Sequence, residues 1–368
     1  MKQYGLLFLL IALGLWSCET KVDLNAPYER YTTVYGLVDL SADTQVVRIN
    51  KAFLGEGNAL DFAQVPDSSQ YDPNDLEVTL EFANQTVELT PHIVPNRPSG
   101  AFFDQDVQVF ITTENLRVNN QGNPINLNVN PNQLVNEYTL NIKVNGETII
   151  GKTAPTFLRQ ISIAIPFPNN QGGSSFDNSE NWMVSEGVFS QNKRMRMLSE
   201  PSAVRYEARI EFRYKEHYLD GTVKNRTYVW GLGSHEAALG STSSQFEKPY
   251  FPEDIFNGIA NSIVCDPQIA FRSLDSCDFV MLAAGEDLAR YMTINTPVTG
   301  IVTERPEFSN IEGERALGLF SSRYKLVRRK LLSSATRQEF QINPVMQPYC
   351  FCNPAIPGSC PTGPCDCD

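Results

Sequence analysis

Apolar and polar residues alternate along most of this chain, and the clearest run is "AVRYEARIEFRYKEHYL" (203–219). Tyr206, Ala208, Ile210, Phe212 and Tyr214 fall on one face, and Arg205, Glu207, Arg209, Glu211 and Arg213 on the other. That period of two is the signature of a half-buried strand. Asp220-Gly221 then turns the chain into "TVKNRTYVWGL" (222–232), which predicts a long hairpin. Its charged face, alternating in sign, is expected to meet solvent, with docking of a partner as the sharper alternative.

Shorter runs of the same kind fill the first half. "YTTVYGLVDL" (31–40) and "QVVRINKAFL" (45–54) flank the turn composition "SADT", and "LEVTLEF" (76–82) and "TVELT" (86–90) flank "ANQ". "DVQVFITT" (106–113) is a further strand, and Asn145-Gly146 lies between two alternating runs in 137–155. Asn-Gly in that setting is the strongest short-range hairpin signal. About seven short strands with little helical period imply an immunoglobulin-like β-sandwich over 31–156.

The second half opens with the strand "QISIAIPFP" (160–168) and a Gly/Asn/Ser-rich loop (169–181). A helical period appears at 251–263, where Pro252 starts a segment with Ile255, Ile259 and Ile263 on one side. "DFVMLAA" (278–284) is a buried strand and "GEDLARYM" (285–292) a short helix. "ALGLFSSRYKLV" (316–327) returns to strand, and "SSATRQEF" (333–340) is a helix capped by serine. The predicted fold class is mainly β: the sandwich, then a larger β-rich domain with a few short helices (157–345), then a Cys-rich tail (346–368).

Composition adds a compartment. Lys2 precedes an apolar run from Leu6 to Trp16, about eleven residues, whereas a bilayer-spanning helix needs roughly 20. The run is therefore a secretory signal (1–17), not a membrane span. It ends in Leu15-Trp16-Ser17-Cys18, which resembles a lipobox, although Trp16 stands where a small residue is usual. On that reading the Cys18 thiol carries a diacylglycerol, and 18–30 is a lipidated tether. The net charge of -12 argues against nucleic acid. The one basic cluster, "RYKLVRRKLL" (323–332), is expected to run from strand into helix with a solvated basic face.

Export makes disulfides the default for Cys265, Cys277, Cys350, Cys352, Cys360, Cys365 and Cys367. Cys265 and Cys277 are expected to close one local loop. The tail holds five cysteines, so one thiol stays free, pairs elsewhere or meets another chain. A soft-metal site is the alternative, but no histidine is near and the spacing is not the CxxC pair of structural zinc.

Reactive constellations are sparse. Ser234, His235 and Glu236 are adjacent, and adjacent residues of an extended chain point to opposite faces, so they do not make a triad. No spacing selects an acid–base pair among Asp104, Asp106, Asp278, Glu286 and Asp287. The acids of "DPNDLE" (72–77) lack the central glycine of a calcium loop. No catalytic residue, metal or cofactor is assigned.

The lipobox, the "CETKVDLN" tether, the exit "TAPT", the tyrosine-rich hairpin, "FSNIEGERALGLFSSRY" (308–324) and the CxC-type cysteine cluster together resemble an uncharacterised family of bacterial outer-membrane lipoproteins. The family is frequently encoded beside TonB-dependent receptors. The resemblance implies a non-enzymatic, lipid-anchored accessory subunit of an outer-membrane β-barrel, either a TonB-dependent receptor or a secretion or assembly complex. The other expectation is a surface lipoprotein that captures glycan or peptide on an aromatic platform of Tyr206, Tyr214, Tyr218, Tyr228 and Trp230. Coplanar exposed rings would favour ligand capture. The loop 169–181 and the turn at Asp220-Gly221 are the predicted recognition elements.

Overall fold

Strands β1 (Thr32–Asp39) and β2 (Gln45–Lys51) form the first hairpin of the chain. The computed structural model describes residues 30–52, 59–95, 107–128, 130–167, 179–242, 244–295, 308–361 and 363–365. Cys18, Cys367, Asp104, Asp106 and most of the loop 169–181 lie outside them. Two short helices (Ala59–Ala63 and Pro66–Ser69) lead to β3 (Leu76–Phe82) and β4 (Gln85–Glu88), joined through Ala83 and Asn84, both at positive φ. Leu89 is buried, and beyond it the chain changes sheets as β5 (Thr90–Val94), which pairs with β6 (Val107–Thr112). Pro91 is tolerated there because β5 is an edge strand. Then β7 (Tyr138–Val144) and β8 (Glu147–Thr153) meet at Asn145-Gly146, again both at positive φ, the geometry a two-residue hairpin needs.

The second half carries β9 (Ile163–Ile165), β10 (Met183–Ser185), β11 (Val188–Phe189) and β12 (Lys193–Leu198) before the long hairpin of β13 (Arg205–Tyr218) and β14 (Val223–Glu236). After β15 (Gln245–Tyr250) and the helix Pro252–Ser262 come β16 (Ile269–Ala284), the helix Glu286–Ile294, β17 (Ile311–Glu312) and β18 (Ala316–Lys330). The helix Ser334–Ile342 and β19 (Phe351–Cys352) follow. The protein is mainly β, as predicted.

One nine-stranded sheet runs in the order β14-β13-β16-β18-β1-β2-β6-β5, with β19 added beside β16. A five-stranded sheet, β17-β8-β7-β3-β4, covers its β18-β1-β2-β6 end. Val34, Val47, Ile49 and Phe110 of the first meet Val78, Leu80, Leu140 and Ile142 of the second, which makes the sandwich core. The other end of the large sheet lies under a second core, built on Tyr206, Ile210 and Phe212 with Trp182, Phe256 and Phe340. A one-residue slip of β13 would exchange this ring set for the charged set, so the register is strongly specified.

The sequence division at 156/157 does not separate two sheets. Residues 316–323 of β18 pair in parallel with β1, and residues 323–330 pair antiparallel with β16. The sandwich thus takes β17 and the first half of β18 from the C-terminal part of the chain. Without them β1 and β8 would each expose an edge. Sequence periodicity cannot show that a strand is shared, because both halves of β18 carry the same alternation.

The segment 308–324 builds this seam. Gly318 has φ +136°, and a Cβ there would lie 1.9 Å from the Val34 carbonyl oxygen. The Asn310 amide accepts from the Phe320 N–H at 2.9 Å, and donates to the Phe320 carbonyl at 2.7 Å and to Asp287 Oδ2 at 3.0 Å. Ser322 Oγ donates to the Ala154 carbonyl at 2.6 Å, and Arg323 Nε to Asp39 Oδ2 at 2.8 Å.

Two further expectations are corrected. Cys277 is a free, buried thiol and does not pair with Cys265. Residues 269–277 run extended in β16 at about 3.3 Å each, which holds position 277 far from 265, whereas a disulfide needs Cα atoms within about 7 Å. Cys265 is disulfide-bonded, but not to Cys277. The basic face of 323–332 is not solvated as a whole: Arg329 is exposed, but Arg328 and Lys330 turn inward and are buried.

Candidate interaction surface

The face of the large sheet opposite the second core carries a ladder of ion pairs across β13, β16 and β18. Glu211, Asp278 and Arg329 occupy directly paired positions on the three strands. Arg209 Nη2 donates to Glu211 Oε1 at 2.7 Å, and Arg213 Nη2 to Glu211 Oε2 at 2.9 Å. Arg213 Nε also stands 2.9 Å from Asp278 Oδ2. Arg329 grips Asp278 with Nε at 3.0 Å and Nη2 at 3.1 Å, and Lys325 Nζ reaches Glu211 at 3.5 Å. The acids are buried, while the arginine heads stay partly in water. Burial alone would raise the Glu211 pKa, but hydrogen bonds from Arg209 and Arg213 and the charge of Lys325 outweigh it, and the carboxyl is held below its ordinary value. The hydrogen bond to Asp278 raises the Arg329 pKa in turn. The charged face expected to meet solvent is therefore a half-buried network with a cationic outer rim.

The aromatic platform is not formed. Tyr206 and Tyr214 are buried in the second core, as alternation predicts. Tyr228 and Trp230 lean on the helix Pro252–Ser262, where a Cβ on Gly258 would meet the Tyr228 hydroxyl at 2.2 Å. Tyr218 is half-buried under Lys224, whose Nζ lies 4.3 Å from its ring centre.

His235 and His217 have packing roles, whereas His92 is exposed on β5. His235 stacks on Phe246 at 4.1 Å, and burial followed by the charge of Lys248 lowers its pKa. A register shift in the β13–β14 pairing leaves Ser234 and Glu236 opposite Glu207 and Arg205, and Glu236 takes Arg205 Nη1 at 2.8 Å. His217 stacks on Phe271 and shares a hydrogen bond with Ser273 Oγ at 2.8 Å. Glu286 pairs with Arg290 at 3.0 Å, and Asp72 caps the turn at Pro73–Asp75 by accepting from the Asn74 N–H. Among the described residues, no three His, Cys, Asp or Glu side chains are placed to hold a metal ion.

The described part of the tail is stapled. Cys350 bonds Cys365 and, nested within that loop, Cys352 bonds Cys360. β19 pairs in parallel with Arg272 and Ser273 of β16, and Phe351 packs on Tyr214 and Phe340. Arg272 is wholly buried; its guanidinium donates to the carbonyls of Tyr349 at 3.0 Å and Val264 at 3.1 Å, and to Glu216 at 3.2 Å. Sequence reasoning missed Arg272, since a lone arginine in a strand carries no local sign of burial. A second buried polar group joins Glu180 to Lys193 and to the Tyr250 hydroxyl at 2.9 Å, beside Cys277, whose thiol pKa burial raises.

A groove of about 740 Å³ lies beside the helix Ser334–Ile342 and is lined by Arg337, Gln338, Gln341 and Asn353 with Leu331 and Ile356. Among the described residues, no helix is long and apolar enough to cross a membrane.

No family model and no curated protein matches the chain. Among solved structures, it is similar to the C-terminal globular domain of an oligosaccharyltransferase from Pyrococcus abyssi. The likeness has 7% identity and a TM-score of 0.21, and covers 64% of this chain. The chain spans 44% of that structure.

Proposed function

We propose that the protein is a non-enzymatic outer-membrane lipoprotein, anchored through Cys18, that serves as an accessory subunit of an outer-membrane β-barrel. The observation that carries this reading is the short apolar run closed by Leu15-Trp16-Ser17-Cys18 after a single lysine. The β-rich body supports it in a second way: Arg209, Arg213, Lys325 and Arg329 are tied to the buried acids Glu211 and Asp278, and form a network with a cationic rim. Anchoring in the plane of the membrane raises the effective concentration against a membrane partner, so a modest interface suffices. A diacylglycerol on the Cys18 thiol brings more than one acyl chain to the anchor, which gives stable attachment, at about 0.8 kcal/mol per buried methylene.

The test is metabolic labelling with a fatty acid, followed by purification of the full chain from membranes in mild detergent. Wild type is expected to take the label and to bring down an outer-membrane barrel; Cys18→Ala is expected to lose the label. Equal labelling of both chains would overturn the anchor. Recovery of a soluble glycan or peptide in place of a barrel would overturn the partner. The amide-lined groove beside Gln338, Gln341 and Asn353 is the feature that favours that second reading.

A further inference from the structure

β14 is the last strand of the large sheet. β13 pairs with it along one edge, and no described strand pairs with the other. Residues 223–227 are exposed, Val229 is 51% exposed, and a Cβ on Gly231 would meet nothing within 4 Å. Edge strands are usually short, bulged, or guarded by charge or proline, because an open edge is a template for another strand. β14 runs for 14 residues without proline. Its register with β13 is regular from Val223 to Gly231 and shifts only beyond.

The alternation of backbone direction identifies the free groups. The Tyr218 N–H donates to the Thr222 carbonyl at 2.8 Å, so Thr222 turns its polar backbone toward β13. Every second residue from Val223 then turns outward: Val223, Asn225, Thr227, Val229 and Gly231. None of these is charged. The charges of this stretch, Lys224 and Arg226, are at inward-turned positions, and Arg226 is tied to Glu216 at 2.7 Å.

We propose that this edge pairs antiparallel with the same edge of a second copy of the chain, about a two-fold axis at Thr227. Self-pairing must be isologous, so every residue has to match the one reflected through the axis. An axis at Arg226 opposes Arg226 to itself, and an axis at Asn225 opposes Lys224 to Arg226; like charges directly opposite destabilise a sheet. An axis at Tyr228 brings Val223 against Gly233, beyond the register shift. The axis at Thr227 uses the regular stretch from end to end. It sets Val223 against Gly231, Asn225 against Val229 and Thr227 against Thr227. On the other face it sets Lys224 against Trp230 and Arg226 against Tyr228, cations against aromatic rings. A foreign strand would require none of this self-matching. The inference does not depend on the lipid anchor.

Oxidative cross-linking of the full chain in expressing cells tests the register. Thr227→Cys is expected to give a reducible dimer. Asn225→Cys and Val229→Cys are each expected to give none alone, but to link when co-expressed. Wild type is the control, since its described cysteines are disulfide-bonded apart from buried Cys277. In sedimentation of the purified chain in detergent, Thr227→Lys is expected to weaken the dimer by at least about tenfold, through two ammonium groups opposed on the axis. Three results would overturn the proposal: no dimer at Thr227→Cys in a chain that sediments as a folded monomer, equal linking at all three positions, or linking of Thr227→Cys to a different protein.

Discussion

Glu211 and Asp278 stand directly opposite each other on β13 and β16, two buried carboxylates at paired positions. Like charges so placed oppose sheet formation. Arg213 reconciles them, with Nη2 on one acid and Nε facing the other. Removing one partner of a buried pair leaves uncompensated charge, at about 3–5 kcal/mol. Arg209 and Arg329 remain as partial compensation, so Arg213→Ala is expected to cost about 2–3 kcal/mol, below that range. Urea denaturation measures it. A loss within the range of an exposed ion pair, about 0–1 kcal/mol, would show that the bridge contributes only as a surface contact.

The same network carries a pH dependence. The folded Glu211 pKa is lowered from 4.5. The folded state therefore holds its proton less tightly than the unfolded chain, and stability rises with pH between the two values. The contribution is fully present above 4.5 and is lost as pH falls through the lower folded value. Glu211→Gln removes that component. Its stability is expected to fall less steeply than that of wild type on acidification below 4.5, as followed by circular dichroism at fixed urea. Parallel curves for the two chains would remove Glu211 from the acid response.

The tail depends on its staples. Closing a loop of 15 residues stabilises by about 3 kcal/mol in the chain-entropy model. Cys350→Ser with Cys365→Ser is expected to lose up to that amount, and to open the segment after the helix Ser334–Ile342 to protease before the sheets unfold. The buried Arg272 is the second staple, because its guanidinium holds the Tyr349 carbonyl. If the double variant resists protease as well as wild type does, the docking through Arg272 and Phe351 holds the tail alone.

Local pattern carried most of the elements. The alternation in β13 assigned Tyr206, Ile210 and Phe212 to the core and Arg209, Glu211 and Arg213 to the other face, because period-two geometry is a property of the strand alone. Asn145-Gly146 marked its hairpin for the same local reason. What pattern left hidden depends on which strands meet. Nothing near Glu211 signals that Asp278 will face it, and nothing near Ala316 signals that β1 will pair there. The expected Cys265–Cys277 bond failed because a short spacing in sequence says nothing of an extended strand between. Arg328 and Lys330 look like a solvated basic run until β18 is seen to place them over the second core.

Gly318 of β18 packs directly against the backbone of β1. A side chain at this position would lie 1.9 Å from the Val34 carbonyl, and its φ of +136° belongs to glycine. The clash is with backbone of β1, which is held by β2 on its far edge, so no flexible side chain can yield. Gly318→Ala is therefore expected to separate β18 from β1 locally and to cost more than the roughly 1 kcal/mol by which glycine and alanine differ in unstrained positions. Hydrogen exchange reads this directly. Amides along 32–39 and 316–323 should lose protection together, while those of β13 and the second half of β18 keep theirs, since the β16 pairing lies beyond Arg323. Uniform loss across both cores would mean instead that the seam and the second core unfold as one unit.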